Sequence, residues 1–296
     1  MLILVTGHSG FLGSSISAVM KEKMDLYSLG RQNTDVICDL ATQIPKLKPS
    51  ELVIHAAGKA HSVPKTEAEK QAFFDVNVNG TLNLLKGLEQ SAPLPKSFVF
   101  ISSVAVYGAE KGRSISEGNS LSATDPYGRS KIEAEKLIQD WCAKHNVICG
   151  ILRLPLLVGA HPPGNLGAMI KAIRKGYYFN IAGGHAKKSM VLAKDVAGII
   201  PKVAEIGGVY NLTDGYHPSF SELSHTIAKQ LNQQRIYNMP KFMASFLAIV
   251  GDMIPKFPIN SSKLAKITSD LTFDDEKARK TLGWQPSKVL DNFSVS

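Results

Sequence analysis

Three observations in the sequence predict a doubly wound α/β fold with a smaller, mainly helical C-terminal part. Short apolar runs alternate with helical patterns through the first half, a spaced glycine triplet follows the first run, and the alternation breaks down after Pro155. The runs MLILVTG, DLYSLG, ELVIHAAG, SFVFISS and VICGILRLP are nearly continuous in apolar residues. Strands covered on both faces of a parallel sheet read this way. Helical patterns over 10–23, 65–91 and 126–145 separate them, which gives repeated βαβ units. Beyond the loop signal HPPGN at 161–165, the pattern predicts a basic helix near 165–176, a helix near 194–204 and the strand GVYNLTD. The chain from Ser219 is expected to be mostly helical, ending in the loop around TLGWQP. The apolar stretch Phe242–Ile254 is too short to span a bilayer and carries Asp252, so it is expected to be a packed helix, the alternative being peripheral membrane contact through it and the basic C-terminal half.

Composition narrows the class. Of 296 residues, 44% are hydrophobic and 20% charged, which is globular rather than disordered. Three scattered cysteines suit neither a disulfide framework nor a zinc site, and they suggest a reducing, cytoplasmic setting. The first residues lack the basic n-region and cleavage site of a secretory leader. Thirty-four basic against 25 acidic side chains give a net charge of +9. The excess is uneven: residues 1–157 carry +2 and residues 158–296 carry +7, with Lys171, Arg174, Lys175, Lys187 and Lys188 in a stretch free of acids. Aromatics do not interleave with arginines there, and no helix-turn-helix or zinc-finger pattern occurs, so nucleic acid is not the expected partner. His55 and His61 lie outside any carboxylate-rich motif; His55 is expected to be structural, and no metal is expected.

The loop TGHSGFLG places Gly7, Gly10 and Gly13 between the first strand and the first helix. The first glycine permits the sharp turn, the second lets backbone approach a pyrophosphate, and the third permits close helix–strand packing. The helix N-terminus then offers free N–H groups to phosphates. About 20 residues on, where an acid would bind a free ribose 2′-hydroxyl, the chain reads SLGR. Gly30 replaces that acid and Arg31 follows, which favours NADP over NAD.

Tyr127 and Lys131 form a Tyr-x-x-x-Lys pair on one helical face in DPYGRSKIEAEKL. An ammonium beside a phenol favours phenolate, so Lys131 is expected to lower the Tyr127 pKa and make it a general acid or base. Ser103 ends the strand FISS, where this fold places its ligands, and its hydroxyl could hold the reacting oxygen.

The ordered set TGHSGFLG, HAAG, FFDVNVNGT, FISSVAVYG, PYGRSK, LRLP and KARKTLGWQP resembles the extended short-chain dehydrogenase/reductases, in particular the nucleotide-sugar epimerase/dehydratase/reductase group, over the full chain. The resemblance implies a Rossmann-like cofactor domain over 1–157 and 191–213 and a sugar-nucleotide domain over 158–190 and 214–296. It implies catalytic roles for Ser103, which precedes Tyr107 in the SSxxxYG pattern, and for Tyr127 and Lys131. It implies cofactor contacts from Gly7, Ser9, Gly10, Phe11, Leu12 and Gly13 in the loop, from Asp39 and Leu40 beside adenine, and from Ala56 and Ala57 at a strand end. It also implies cofactor contacts from Tyr127 and Lys131, the latter at the nicotinamide ribose, and from Asn77, which matches an asparagine that supports the lysine. On the substrate side, Asn165 resembles a sugar-nucleotide contact, and Lys188 stands where relatives carry a diphosphate-binding arginine. A homodimer is also implied.

Departures from the group narrow the reaction. Val104 and Ala105 replace the Asp-Glu pair of the sugar 4,6-dehydratases. Cys142 and Cys149 match no cysteine of the epimerase-reductases, and Leu156 stands where 4-epimerases carry asparagine. The sequence is most similar to bacterial 4-reductases and 4-epimerases of UDP-N-acetylhexosamines. The expected function is reduction of a UDP-4-keto-6-deoxy-N-acetylhexosamine. The alternative within the family is a 4-epimerase with bound NAD. An alternative of another class is a non-catalytic NADP-binding regulator, which would not need Tyr127 and Lys131.

Overall fold

In the computed structural model, which describes residues 2–21, 24–60, 63–233, 235–254 and 259–295, the first apolar run forms β1 (Leu2–Thr6) and the glycine loop leads into α1 (Phe11–Lys21). His61 lies outside the described residues. Strands β2 (Asp25–Gly30), β3 (Val36–Ile37) and β4 (Leu52–His55) follow. The helix expected over 65–91 is two helices, α2 (Glu67–Phe74) and α3 (Gly80–Glu89), joined by a π-helical turn over Asp75–Asn79. Thr66 opens α2 with a capping box, exchanging hydrogen bonds with Glu69.

Next come β5 (Ser97–Ser103), β6 (Gly112–Ile115), α4 (Pro126–His145) and β7 (Ile148–Leu154). Helix α4 falls at its expected bounds because its ends are written locally. The Asp125 side chain accepts from the Gly128 N–H, Pro126 takes the first turn, and Asn146 closes the helix at φ 55°.

The later chain gives β8 (Leu156–Val158), α5 (Gly164–Arg174), β9 (Phe179–Ile181), β10 (Met190–Leu192), α6 (Ala193–Ile206) and β11 (Gly208–Asn211). It ends with α7 (Phe220–Gln230), β12 (Tyr237–Met239), α8 (Lys241–Met253), α9 (Ser261–Thr268), β13 (Leu271–Phe273), α10 (Glu276–Leu282) and α11 (Val289–Asn292).

Among the described residues the main sheet is seven-stranded and parallel, in the order β3-β2-β1-β4-β5-β7-β11. The order reverses between β1 and β4, where doubly wound sheets open a crevice at their strand ends. The two-residue period of β1 sends Ile3 and Val5 to one face, with Ile16 of α1 and Ile200 of α6, and Leu4 to the other, with Leu84 of α3 and Ile138 of α4. A separate core joins Leu166 and Ile170 of α5 to Met190, Leu223, Ile227 and Phe293. Three small parallel pairs, β8–β10, β9–β12 and β6–β13, were not expected in the sequence.

Helix α8 differs from its expected packing. It buries the small residues Ala244 and Ala248 and leaves Phe242, Phe246, Ile249 and Met253 exposed. Its neighbours, Leu264 of α9 with Met239 and Ile181, meet only the alanine side.

Candidate active site

At the C-terminal ends of β1, β4, β5 and β7 lies a cleft of about 570 Å³. The glycine loop, Ala56, Gly58, Lys59, Ser103, Tyr127, Lys131, Pro155 and Pro163 are among the residues lining it. Gly7 adopts φ 70°, and a Cβ there would come within 2.6 Å of the Ala57 nitrogen. A Cβ on Gly13 would strike the Gly7 carbonyl. The loop therefore presents bare backbone and the first turn of α1 to the cleft, which fits a dinucleotide's pyrophosphate.

A hydrogen-bonded chain fixes the floor beneath this loop. The Ala57 N–H donates to Thr6 Oγ1 over 3.1 Å, and Thr6 Oγ1 lies 2.7 Å from His55 Nδ1. His55 Nε2 lies 3.0 Å from Thr81 Oγ1, which donates to the Asn77 carbonyl over 2.7 Å. One proton assignment satisfies every member: Thr6 donates to Nδ1, and Nε2–H donates to Thr81. Burial holds the His55 pKa down at about 3, so it is neutral and structural, as expected from the sequence.

The π turn aims Asn77 inward. Its Nδ2 donates to Ser130 Oγ at 2.9 Å and to the Lys59 carbonyl at 3.1 Å, and its Oδ1 accepts from the Lys59 N–H at 2.7 Å. Asn77 thus ties the loop after β4 to the residue beside Lys131. A one-residue widening inside a helix is a common way to re-aim a side chain at a site.

Ser103 and Tyr127 both line the cleft, with the Ser103 hydroxyl near enough to the phenol to draw its pKa down. Ser103 also caps the short turn Val104–Tyr107, its Oγ accepting from the Ala105 N–H at 3.2 Å. Tyr127 packs on Phe73, with ring centroids 6.0 Å apart. Lys131 is buried; its Nζ donates to the Ile101 carbonyl at 2.9 Å and sits 4.5 Å over the Phe100 ring. Burial lowers the Lys131 pKa to about 8, against an upward pull from Glu135.

The Tyr127 pKa moves opposite to the sequence expectation. Burial raises it, the nearby Ser103 hydroxyl only partly opposes this, and Asp125 adds to the rise. The lysine charge is spent on the Ile101 carbonyl and the Phe100 face, so it does not offset the desolvation of a phenolate.

Sequence reasoning missed a buried network one turn below. Glu135 takes Arg153 in a fork, with Nη2 to Oε2 at 2.7 Å and Nε to Oε1 at 3.1 Å, and it accepts from Ser102 Oγ. Arg153 also donates to the Tyr107 hydroxyl at 3.1 Å, which donates to Asn211 Oδ1 at 2.8 Å. The signal was present: Tyr127, Lys131 and Glu135 recur every four residues, which puts an acid on the inward face of α4. Gly58 and Lys59 were missed as well, although they lie only three and four residues past the end of β4.

Other expected site residues lie outside the cleft lining. Ser9 and Arg31 are exposed, Arg31 just past the end of β2. Asp35, the next acid, is turned away, accepting from Ser28 N at 2.8 Å and Ser28 Oγ at 2.7 Å. Asp39 is exposed and accepts from the Ala41 N–H, and Leu40 is buried. Asn165 is exposed on the first turn of α5, two residues after Pro163. Lys188 is bridged to Leu271, and its Nζ donates to the Lys266 carbonyl at 2.9 Å. Its ammonium therefore holds the chain near α9 instead of facing the cleft.

The sheet order and the glycine-loop cleft define a dinucleotide-binding protein of the extended short-chain dehydrogenase/reductase kind. A model of the NAD dependent epimerase/dehydratase family matches residues 3–212, and the chain belongs to that family. It is 26% identical to a UDP-glucose 4-epimerase of Vibrio cholerae, over 97% of this chain and 92% of that one. It is 24% identical to the N-acetyl-alpha-D-glucosaminyl-diphospho-ditrans,octacis-undecaprenol 4-epimerase of Escherichia coli O157:H7, over 94% and 89% of the two chains. Its fold matches that of UDP-glucose 4-epimerase from Thermotoga maritima, solved with UDP-glucose, at a TM-score of 0.76 and 19% identity, covering 98% and 96%. The chain is an NAD(P)-dependent enzyme of the nucleotide-sugar group.

Proposed function

We propose that the chain oxidises or reduces C4 of a UDP-sugar, and that its physiological direction is reduction of a UDP-4-keto-6-deoxy-N-acetylhexosamine. The observation that carries this reading is that Ser103, Tyr127 and the buried Lys131 line one cleft together with the glycine loop. NAD(P), when bound, supplies or accepts the hydride at its nicotinamide C4. Ser103 holds the C4 oxygen. Tyr127, kept protonated by burial, gives it a proton as the ketone becomes an alcohol. Lys131 and Asn77 keep that end of α4 in register with the cleft.

The remaining roles are assigned as follows. Gly7, Ser9, Gly10, Phe11, Leu12 and Gly13 hold the pyrophosphate. Asp39 and Leu40 flank adenine, Ala56 and Ala57 flank the ribose, and Asn165 meets the sugar nucleotide. Residues 1–157 and 191–213 carry the cofactor, while 158–190 and 214–296 carry the sugar nucleotide. The place of β11 in the main sheet and the separate core around α5 and α7 support this division.

Arg31 favours NADP and therefore net reduction, since Asp35 is already engaged by Ser28. A 4-epimerase with retained NAD is the second reading, favoured by the names of both relatives. The deciding experiment identifies the nucleotide released from fresh protein and assays both reactions. An empty protein that consumes NADPH on a UDP-4-keto sugar supports the reductase, and retained NAD with UDP-N-acetylhexosamine interconversion overturns it. Tyr127→Phe should lower turnover by about 10²–10⁴-fold with cofactor binding retained. Turnover near the parent level would remove Tyr127 from its role.

A further inference from the structure

Helix α8 is turned inside out for a helix of a folded protein. Phe242, Phe246, Ile249 and Met253 fall at successive turns along one stripe and are 74%, 67%, 59% and 80% exposed. The side facing the protein is Ala244 and Ala248. Burying large side chains and exposing small ones is the favourable arrangement, so a reversal across a whole helix marks a surface that meets something else. The stripe continues beyond the helix. Tyr237 on β12 and Phe179 on β9 are exposed, with rings 6.1 Å apart, and Tyr177 is exposed just before β9.

The segments that carry this surface are mainly basic, although Lys266 is paired with Glu110 at 2.9 Å. From Lys229 to Lys266 the chain carries six basic residues and one acid, Asp252. That acid is turned onto Ser261, accepting from its backbone N–H at 3.1 Å. The other segment feeding the patch, Asn165–Lys188, carries five basic residues and no acid, with Lys188 turned onto the Lys266 carbonyl.

We propose that the α8 face docks on an anionic lipid surface, with the helix lying in the interface plane. The composition fits: phenylalanine, isoleucine and methionine enter the acyl boundary, tyrosines sit at headgroup depth, and lysines meet the anionic headgroups. A helix of 13 residues is about 20 Å long, too short to cross a bilayer and sufficient to lie on one. A second copy of the chain fits poorly, because a two-fold contact through this face would bring two basic rims together.

The test is co-sedimentation with vesicles of equal parts phosphatidylglycerol and phosphatidylcholine, against phosphatidylcholine alone. The variant is Phe242→Ser with Phe246→Ser; both side chains are exposed, and an unchanged unfolding midpoint confirms the fold. The parent should sediment with the anionic vesicles at least about tenfold better than with the neutral ones, and high salt should weaken it. The double variant should lose at least about tenfold of that binding. No binding by the parent, or equal binding by the variant, overturns the proposal. So does a parent dimer that the variant abolishes without any vesicle binding, since a second copy would then cover the face.

Discussion

In the proposed reading, Arg31 sets the preference for NADP, and Asp35 does not oppose it. Arg31 stands at the tip of β2, and the nearby carboxylate that would compete for ribose hydroxyls is locked onto Ser28. A hydrogen bond to a charged group is worth about 1.5–3 kcal/mol, so Arg31→Ala should cut the NADPH-over-NADH preference by roughly ten- to a hundredfold. Steady-state kinetics with both nucleotides check this; an unchanged ratio removes Arg31 from the site. The glycine triplet and the Tyr127–Lys131 pair were legible in sequence because each is a local spacing on one turn or one helix. The Tyr127 pKa direction and the partner of Lys188 were not. Both depend on burial and on carbonyls of Ile101 and Lys266, which sequence distance conceals.

At the level of elements, helices with written ends were readable and short strands were not. Asp125, Pro126 and Asn146 mark α4 at both ends. Strands β3, β6, β8, β9, β10, β12 and β13 hold two to four residues each, too few for a period to show. The π turn was hidden for another reason: the extra residue between α2 and α3 leaves the surrounding helical pattern intact. Its worth can be measured. Asn77→Ala strands the Lys59 N–H and the Lys59 carbonyl in a half-buried site, which costs about 1–3 kcal/mol. Urea unfolding should show that loss, together with a weaker cofactor affinity. A variant with parental stability would mean that water replaces the amide without cost.

Over the whole molecule, the parallel sheet is held together at its strand ends by buried polar groups as well as by the cores on its two faces. The clearest consequence is acid sensitivity at His55. Its pKa is about 3 in the folded chain and near 6.5 when unfolded. The unfolded state therefore binds the extra proton between these values, and stability falls as the pH drops below about 6.5, by up to about 1.4 kcal/mol per pH unit. It is fully present above that range. Denaturant titrations between pH 7 and pH 4 should show this slope, and it should shrink in His55→Gln. Equal slopes in the two proteins would place the acid sensitivity elsewhere.

The pairing of β11 with β7 carries a consequence for how the chain is made. Strand β7 ends at Leu154, yet its neighbour on that side arrives only with Gly208–Asn211. On the ribosome the nascent sheet therefore shows a bare edge while residues 155–207 are added, for roughly 3–10 s at ordinary elongation rates. Arg153 waits as well, since Asn211 closes its chain of hydrogen bonds through Tyr107. An open edge beside a half-assembled charged cluster is a template for mispairing with another nascent chain. A chain stopped near residue 157 would keep that edge for good, and it is better viewed as a trapped assembly intermediate than as a smaller version of the enzyme.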